Sequence, residues 1–309
     1  MVKIITAPDT ELIKRIYALY SAELARYTAT PEHFRERLML DCGAVIVIDE
    51  VDSQLRGFAA VYRDGLLMLL VERSCRCQGV GARLLAECER LAVPCGKLML
   101  GHGSSGRYLY CGALIQSESF PAGEPDMTDD TSRFLTSHGY SNSWIAADCL
   151  LELSEFHPRD FECGDIEIRT RRDDERDAAY RLGNLVSHWG EDYRDAGELI
   201  GAFLHDCKPV DGKQVVGKLV VGKLVGGVIF EDGCMFQSSI ADCCTLGCLG
   251  VDPKYRRRGI AASLCRTLCE RATTRGYKRV FIGYTGIYDW YAGLGAKVYA
   301  YYRMGEKKL

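Results

Sequence analysis

Long apolar runs are missing from this 309-residue sequence. No stretch approaches the ~20 uninterrupted apolar residues a bilayer-spanning helix needs, so no membrane-spanning helix is expected. The opening residues, Met1 to Pro8, hold too short an apolar core for a secretory signal, so a cytoplasmic location is expected. An excess of one charge is missing too. Lys and Arg number 39 against 42 Asp and Glu, a net charge of −3. Nothing draws the chain as a whole to nucleic acid or to an anionic membrane, so neither is an expected partner and any basic site must be local. Histidine is scarce, at 6 residues, whereas cysteine is abundant, at 15. An odd cysteine count in a large chain without an export signal argues against a disulfide framework and for reduced thiols used as small core residues. Cys234, Cys243, Cys244 and Cys248 cluster, but without paired C-x-x-C spacing or a close histidine, so no metal is expected.

What the sequence does contain is a phosphate-binding turn. Leu246 to Val251 is short and apolar, as a buried strand is. Ile260, Ala261, Leu264, Cys265, Leu268 and Ala272 then recur at helical spacing until Gly276 supplies a stop. Between them stand Arg256, Arg257, Arg258 and Gly259. A helix start leaves backbone N–H groups without internal partners and carries partial positive charge. Glycine there lets a ligand approach the backbone. The turn is expected to hold a phosphate or pyrophosphate.

The turn occurs twice. Arg76-x-x-Gly79-x-Gly81 falls on Arg256-x-x-Gly259-x-Ala261 at an offset of 180 residues. Val71 falls on Val251, Leu84 on Leu264 and Cys88 on Leu268 at the same offset. Motif, preceding strand and helix face repeated together imply two copies of one domain; because the period is a whole domain, this is a tandem duplication and not a solenoid.

The element order agrees. The first copy reads as a strand at 2–6, helices over 12–20 and 30–40, strands at 43–48, 55–62, 66–71 and 97–100, and a long loop over 101–131. Residues 154–164 read as a linker. The second copy reads as a strand at 165–170, a helix over 173–186 and a second helix over 195–205. Val215 to Leu219 repeats as Val220 to Leu224 and continues to Phe230 as strands. A strand at 278–283, a short helix over 285–292 and a strand at 298–304 follow the arginine turn. The expected domains are 1–153 and 165–309.

The R-x-x-G-x-A turn, after a strand ending in Val251-x-Pro253, resembles the coenzyme A loop of the GNAT acyltransferase superfamily. Trp290-Tyr291-Ala292-Gly293-Leu294-Gly295 resembles the family's late F-Y-x-x-x-G segment, and Arg133 to Tyr140 resembles it in the first copy. The resemblance implies an α/β (α+β) fold of two tandem GNAT-like domains, each a mixed, mostly antiparallel twisted sheet flanked by helices. It implies an N-acyltransferase that moves an acetyl group from acetyl-CoA to a primary amine of a small-molecule acceptor in a ternary complex. Backbone groups of Leu249, Gly250 and Val251 would polarise the thioester carbonyl. Arg256, Arg257, Arg258, Gly259, Ile260, Ala261 and Ala262 would hold the pyrophosphate, and Tyr291 would protonate the departing thiolate. The first copy has Leu135 at the tyrosine position and Arg73 opposite Pro253, so it is expected to be degenerate and the second copy catalytic. The alternative is a non-catalytic coenzyme A-binding or sensor protein of the same fold. The general base stays open among Glu191, Asp192, Glu231, Asp232 and Asp242. The acceptor and the oligomeric state have no signature in the sequence.

Overall fold

The protein is described by a computed structural model over residues 1–101, 110, 112–115, 129–158, 164–204, 222–236 and 240–309. Val2–Ile5 (β1) leads into Thr10–Glu23 (α1), where the Asp9 carboxylate accepts from the Leu12 N–H at 2.7 Å. Thr30 caps Pro31–Arg37 (α2), with proline in the first turn, where its missing N–H goes unmissed. Val45–Val51 (β2), Gln54–Tyr62 (β3) and Gly65–Val71 (β4) form an antiparallel meander. Val80–Ala92 (α3) lays Val80, Leu84, Leu85, Cys88 and Ala92 on that sheet, and Lys97–Leu100 (β5) then pairs with β4 in parallel.

Ala113–Ile115 (β6), Asp130–Ser137 (α4) and Trp144–Glu152 (β7) follow. The second copy opens with Ile166–Thr170 (β8), Arg176–Val186 (α5), Gly190–Asp195 (α6), Leu199–Leu204 (β9), Lys223–Glu231 (β10) and Cys243–Val251 (β11). It closes with Ile260–Thr274 (α7), Arg279–Thr285 (β12), Tyr288–Ala292 (α8), Lys297–Met304 (β13) and Glu306–Lys308 (β14). Among the described residues the strands make two mixed sheets, β1-β2-β3-β4-β5-β14 and β6-β13-β7-β12-β11-β10-β9-β8. Each contains one parallel pair, β4–β5 or β11–β12, among antiparallel neighbours. This is the expected fold class.

Sheet membership does not follow the expected boundary at residue 153. Strand β7 precedes it, yet lies between β12 and β13 in the second sheet. Strand β14 goes the other way and pairs with β5 in the first sheet. Arg303, on β13, fixes the crossing: its buried guanidinium donates to the Ser132, Tyr140 and Ser141 carbonyls and to the Thr136 hydroxyl at 2.6–3.2 Å. One apolar core runs across both halves. It includes Tyr20, Phe34 and Phe58 from one side and Phe236, Phe281 and Tyr302 from the other. Tyr110 stacks on both Phe236 and Tyr302, and its hydroxyl donates to the Tyr27 carbonyl at 2.7 Å.

Several elements differ from expectation. The helix expected over 195–205 is strand β9 up to Leu204. Leu199 to Phe203 are all buried, and an apolar run that short carries no period to separate strand from helix. Helix α2 ends at Arg37, because Met39 turns left-handed at φ 58°. The expected loop over 101–131 contains β6 and the start of α4; its remaining parts at 102–109, 111 and 116–128 lie outside the described residues, as do residues 215–221 of the Val-Gly-Lys repeat. Buried cysteines such as Cys88, Cys149 and Cys269 are core residues, and burial pushes their thiols up to about 12.

Candidate active site

The arginine turn between β11 and α7 has the strand–turn–helix form that the sequence suggests. Strand β11 ends at Val251, and Asp252 accepts from the Lys254 N–H at 2.9 Å to start a single 3-10 turn. Arg257 and Gly259 then take left-handed backbone angles, φ 62° and 80°, before α7 begins. No side chain caps α7, and its first internal bond runs from the Ser263 N–H to the Gly259 carbonyl at 3.0 Å. The N–H groups of Ile260, Ala261 and Ala262 are therefore left without helical partners, as an anion cradle requires. A cavity of about 590 Å³ opens beside them, lined by Leu249, Gly250, Val251, Arg256, Arg257, Gly259, Ile260, Ala261 and Ala262 together with Trp189, Ile287 and Trp290. Arg258 does not line it and pairs instead with Asp165 at 2.5 Å. Arg256 braces the turn by donating from Nε to the Val251 carbonyl at 3.1 Å. The structure therefore gathers the expected coenzyme residues with the exception of Arg258.

The centre of the site is a split in the second sheet. The parallel ladder of β11 and β12 runs from Cys243↔Arg279 to Leu246↔Ile282 and stops. Each strand bulges where they part. On β11, Cys248 and Leu249 together oppose one residue of β10, with Cys248 at φ 49°. On β12, Gly283 and Tyr284 oppose one residue of β7, with Tyr284 at φ 53°. A buried polar group pins each bulge. The Tyr193 hydroxyl lies 2.6 Å from the Cys248 carbonyl and 2.9 Å from that of Gly227. Asp148 accepts from the Tyr284 N–H at 2.8 Å and from the Tyr302 hydroxyl at 2.5 Å. Gly250 sits under the first pin with no room to spare: a Cβ there would lie 2.7 Å from Val186 Cγ2 and 2.9 Å from the Tyr193 hydroxyl.

A second cavity, of about 530 Å³, occupies the other side of the split. Trp189, Leu249 and Ile287 line both cavities, so the two meet at the bulge. Tyr291, on α8, is almost fully buried and lines the second. Among the described residues nothing hydrogen-bonds its hydroxyl. Burial, with Cys265 and Cys149 nearby, holds its proton well above the ordinary tyrosine range. Gly295 completes the F-Y-x-x-x-G segment at φ 102°, where a Cβ would meet the Glu155 carbonyl oxygen at 2.1 Å.

Of the acids left open as bases, Glu231 and Asp232 line this second cavity. Glu191, Asp192 and Asp242 are exposed and do not line it. Asp232 is engaged by the Tyr277 hydroxyl at 3.0 Å and by Arg275 at 3.4 Å. Sequence reasoning missed Asp148, whose carboxyl is raised by burial to about 6 against the lowering effect of its Tyr302 and Tyr284 hydrogen bonds. The available signal was a single acid inside the apolar run Trp144 to Leu151.

The first copy repeats the turn with different neighbours. Cys77 and Gly79 take φ 57° and 75°, and Arg76 Nε donates to the Val71 carbonyl at 3.1 Å, as Arg256 does to Val251. Here, however, Glu23 pairs with Arg76 at 2.5 Å and accepts from the Arg73 N–H at 2.9 Å. Where β4 and β5 part, a pocket of about 110 Å³ is walled by Leu67 to Leu70, Phe134 and Leu135. Leu135 stands in this apolar wall at the position corresponding to Tyr291.

Comparison with known proteins agrees with this anatomy. Residues 152–288 match the family model described as Acetyltransferase (GNAT) family. No curated protein matches the sequence. The structure resembles a GCN5-related glucosamine N-acetyltransferase region of a fungal multi-domain GH3 β-N-acetylglucosaminidase, with TM-score 0.74 and 17% identity over 99% of this chain; this chain spans 38% of that one. It resembles a GCN5-related N-acetyltransferase from Sphaerobacter thermophilus, with TM-score 0.68 and 18% identity over 99% of this chain and 95% of the other. A tandem GNAT protein from the clavulanic acid biosynthesis pathway superposes with TM-score 0.66 and 14% identity, covering 100% of this chain and 98% of the other. The class the fold defines is thus the GNAT acyltransferase architecture. This chain has that fold in tandem form, and the match to the family model lies over residues 152–288, less than half of it.

Proposed function

We propose that the protein is an N-acyltransferase that moves an acetyl group from acetyl-CoA to the primary amine of a small-molecule acceptor, with residues 165–309 as the catalytic domain and residues 1–153 as a degenerate partner. The observation that carries this reading is the pair of cavities meeting at the β11 bulge, one beside an uncapped helix start and one lined by Tyr291. The residues fit the coenzyme: the backbone of Ile260, Ala261 and Ala262 with Arg257 would hold its pyrophosphate, and the apolar walls Val186, Leu249 and Ile287 would take its arm. Bound acetyl-CoA supplies the acyl group as a thioester, whose C–S bond breaks as the C–N bond to the acceptor forms. A backbone N–H of the bulge, held by Tyr193, polarises the carbonyl oxygen. Tyr291 keeps its proton at neutral pH and delivers it to the departing sulfur. The acceptor nitrogen loses protons to a base on the other side of the split.

Tyr291→Phe tests the assignment. Turnover, followed as thiol release with a panel of primary amines, should fall by about 10²-fold or more, while calorimetric affinity for acetyl-CoA stays the same. Undiminished turnover would remove Tyr291 from the mechanism. Coenzyme binding without thiol release from any amine by the unmodified protein would favour the non-catalytic reading.

A further inference from the structure

The second cavity is not lined by the second copy alone. Asp148 reaches it from β7, and His33 and Arg37 reach it from α2 in the first half of the chain. Helix α2 is held there by Phe34 and Leu38, which are buried in the shared core with Phe236 and Phe281. His33 and Arg37, four residues apart, occupy the neighbouring stripe of the same helix. Both have a side-chain nitrogen, His33 Nδ1 and Arg37 Nε, that is shut off from solvent and has no hydrogen-bond partner. Among the described residues no carboxylate pairs with Arg37, although most arginines nearby in sequence are paired, Arg35 with Asp41 for example. A half-buried guanidinium is strongly favoured by a carboxylate or phosphate in bidentate contact and is costly to leave bare.

Asp232 is paired with Arg275, but two other carboxylates of the cavity, Asp148 and Glu231, have no cationic partner among the described residues. The described donors to Asp148 are the neutral Tyr284 N–H and Tyr302 hydroxyl. Glu231 has no recorded partner among the described residues. The cavity thus offers an anion site at Arg37 and His33 and a cation site at Asp148 and Glu231, within one space of about 530 Å³. That volume suits a small or medium-sized molecule.

We propose that the acceptor is a zwitterionic amine: its anionic group, a carboxylate or a phosphate, is held by Arg37 and His33, and its ammonium faces Asp148 at the split. This rests on the acyl-transfer reading above and adds a substrate class to it. It also gives the non-catalytic half of the chain a definite task, as the specificity wall of a site whose chemistry lies in the other half.

The test uses matched amines on the full chain: 4-aminobutyrate with 4-aminobutyramide, phosphoethanolamine with ethanolamine, and glucosamine 6-phosphate with glucosamine. In the unmodified protein, kcat/KM should favour at least one anionic member over its uncharged mate by about tenfold or more, the size of one charge-assisted contact. Arg37→Gln should erase that preference by raising KM for the anionic member about tenfold more than for its uncharged mate. Arg37→Lys should restore part of it. Turnover without an anionic preference, or a preference that survives Arg37→Gln, would overturn the zwitterion assignment and leave acyl transfer standing. If no amine turns over, calorimetry decides separately: with coenzyme A present, an anionic amine should bind the unmodified protein about tenfold more tightly than Arg37→Gln, and equal affinities, or no binding to either, would overturn the proposal.

Discussion

Replacing Tyr193 by Phe removes one oxygen atom from the pin of the β11 bulge, and its two effects are separable. The hydroxyl lies 2.6 Å from the Cys248 carbonyl and 2.9 Å from the Gly227 carbonyl. It has one proton, so at any moment it makes one strong bond, and the shorter contact takes most of it. Phenylalanine fills the same space, so no cavity forms and the loss is the bond plus the desolvated carbonyls left behind. Losing a bond to a buried acceptor costs ~1–3 kcal/mol. Taking ~2 kcal/mol, and about 2–4 °C per kcal/mol for a domain of this size, the melting temperature should fall by roughly 4–8 °C. The catalytic effect arises differently. Cys248 holds φ 49° against its own preference, and without the pin the bulge can relax, turning the neighbouring N–H away from the carbonyl oxygen it is proposed to polarise. Deleting such a donor outright costs ~10²–10³ in kcat, so a loosened one should cost about tenfold. Thermal unfolding and steady-state thiol release on the same preparation measure both. An unchanged melting temperature would refute the pin, and a lowered one with undiminished kcat would refute the link between the bulge and turnover.

Two further outcomes are expected. Gly259→Leu forces a side chain into φ 80° at the mouth of α7 and crowds the free N–H groups, so calorimetry should show acetyl-CoA affinity weakened by at least about tenfold, with ~1–2 kcal/mol of strain in the fold; intact affinity would contradict the turn's assignment. Asp148 has its carboxyl raised by burial to about 6, above the ~3.9 of an unfolded chain. The folded state therefore holds the proton more tightly, so this stabilisation is full below about pH 4 and is lost as pH rises through about 6, on the order of 2–3 kcal/mol in all. Asp148→Asn should flatten that slope in urea unfolding between about pH 4 and 6; a slope unchanged by the substitution would mean that Asp148 does not set it.

The parts of this architecture that could be read from sequence are those encoded locally. The strand, arginine turn and apolar helix around Gly259 are contiguous, and their echo at Gly79 reaches the backbone angles themselves, Cys77 matching Arg257 and Gly79 matching Gly259. The contrast of Leu135 with Tyr291 was likewise visible as one residue in a motif. What could not be read depends on partners far along the chain. Leu199 to Leu204 is strand because β8 and β10 flank it, a fact absent from its own six residues. The role of Asp148 depends on β7 lying between β12 and β13, strands more than a hundred residues further along. Nothing in the sequence around Arg37 sets it apart, and the missing partner of its Nε appears only in three dimensions.

The exchanged strands also set an order of events for a chain made from its N-terminus. When residue 152 emerges, β7 has no sheet to join, because β12 and β13 are more than a hundred residues behind it. Strand β5 meanwhile shows an open edge until β14 arrives, and open edges invite pairing with the wrong chain. Neither half can finish folding as a unit before the last strands are made, unlike domains that fold one after another during synthesis. The nascent first half must therefore wait with an orphan strand and a bare edge, which makes this the interval when a chaperone would matter most to the protein.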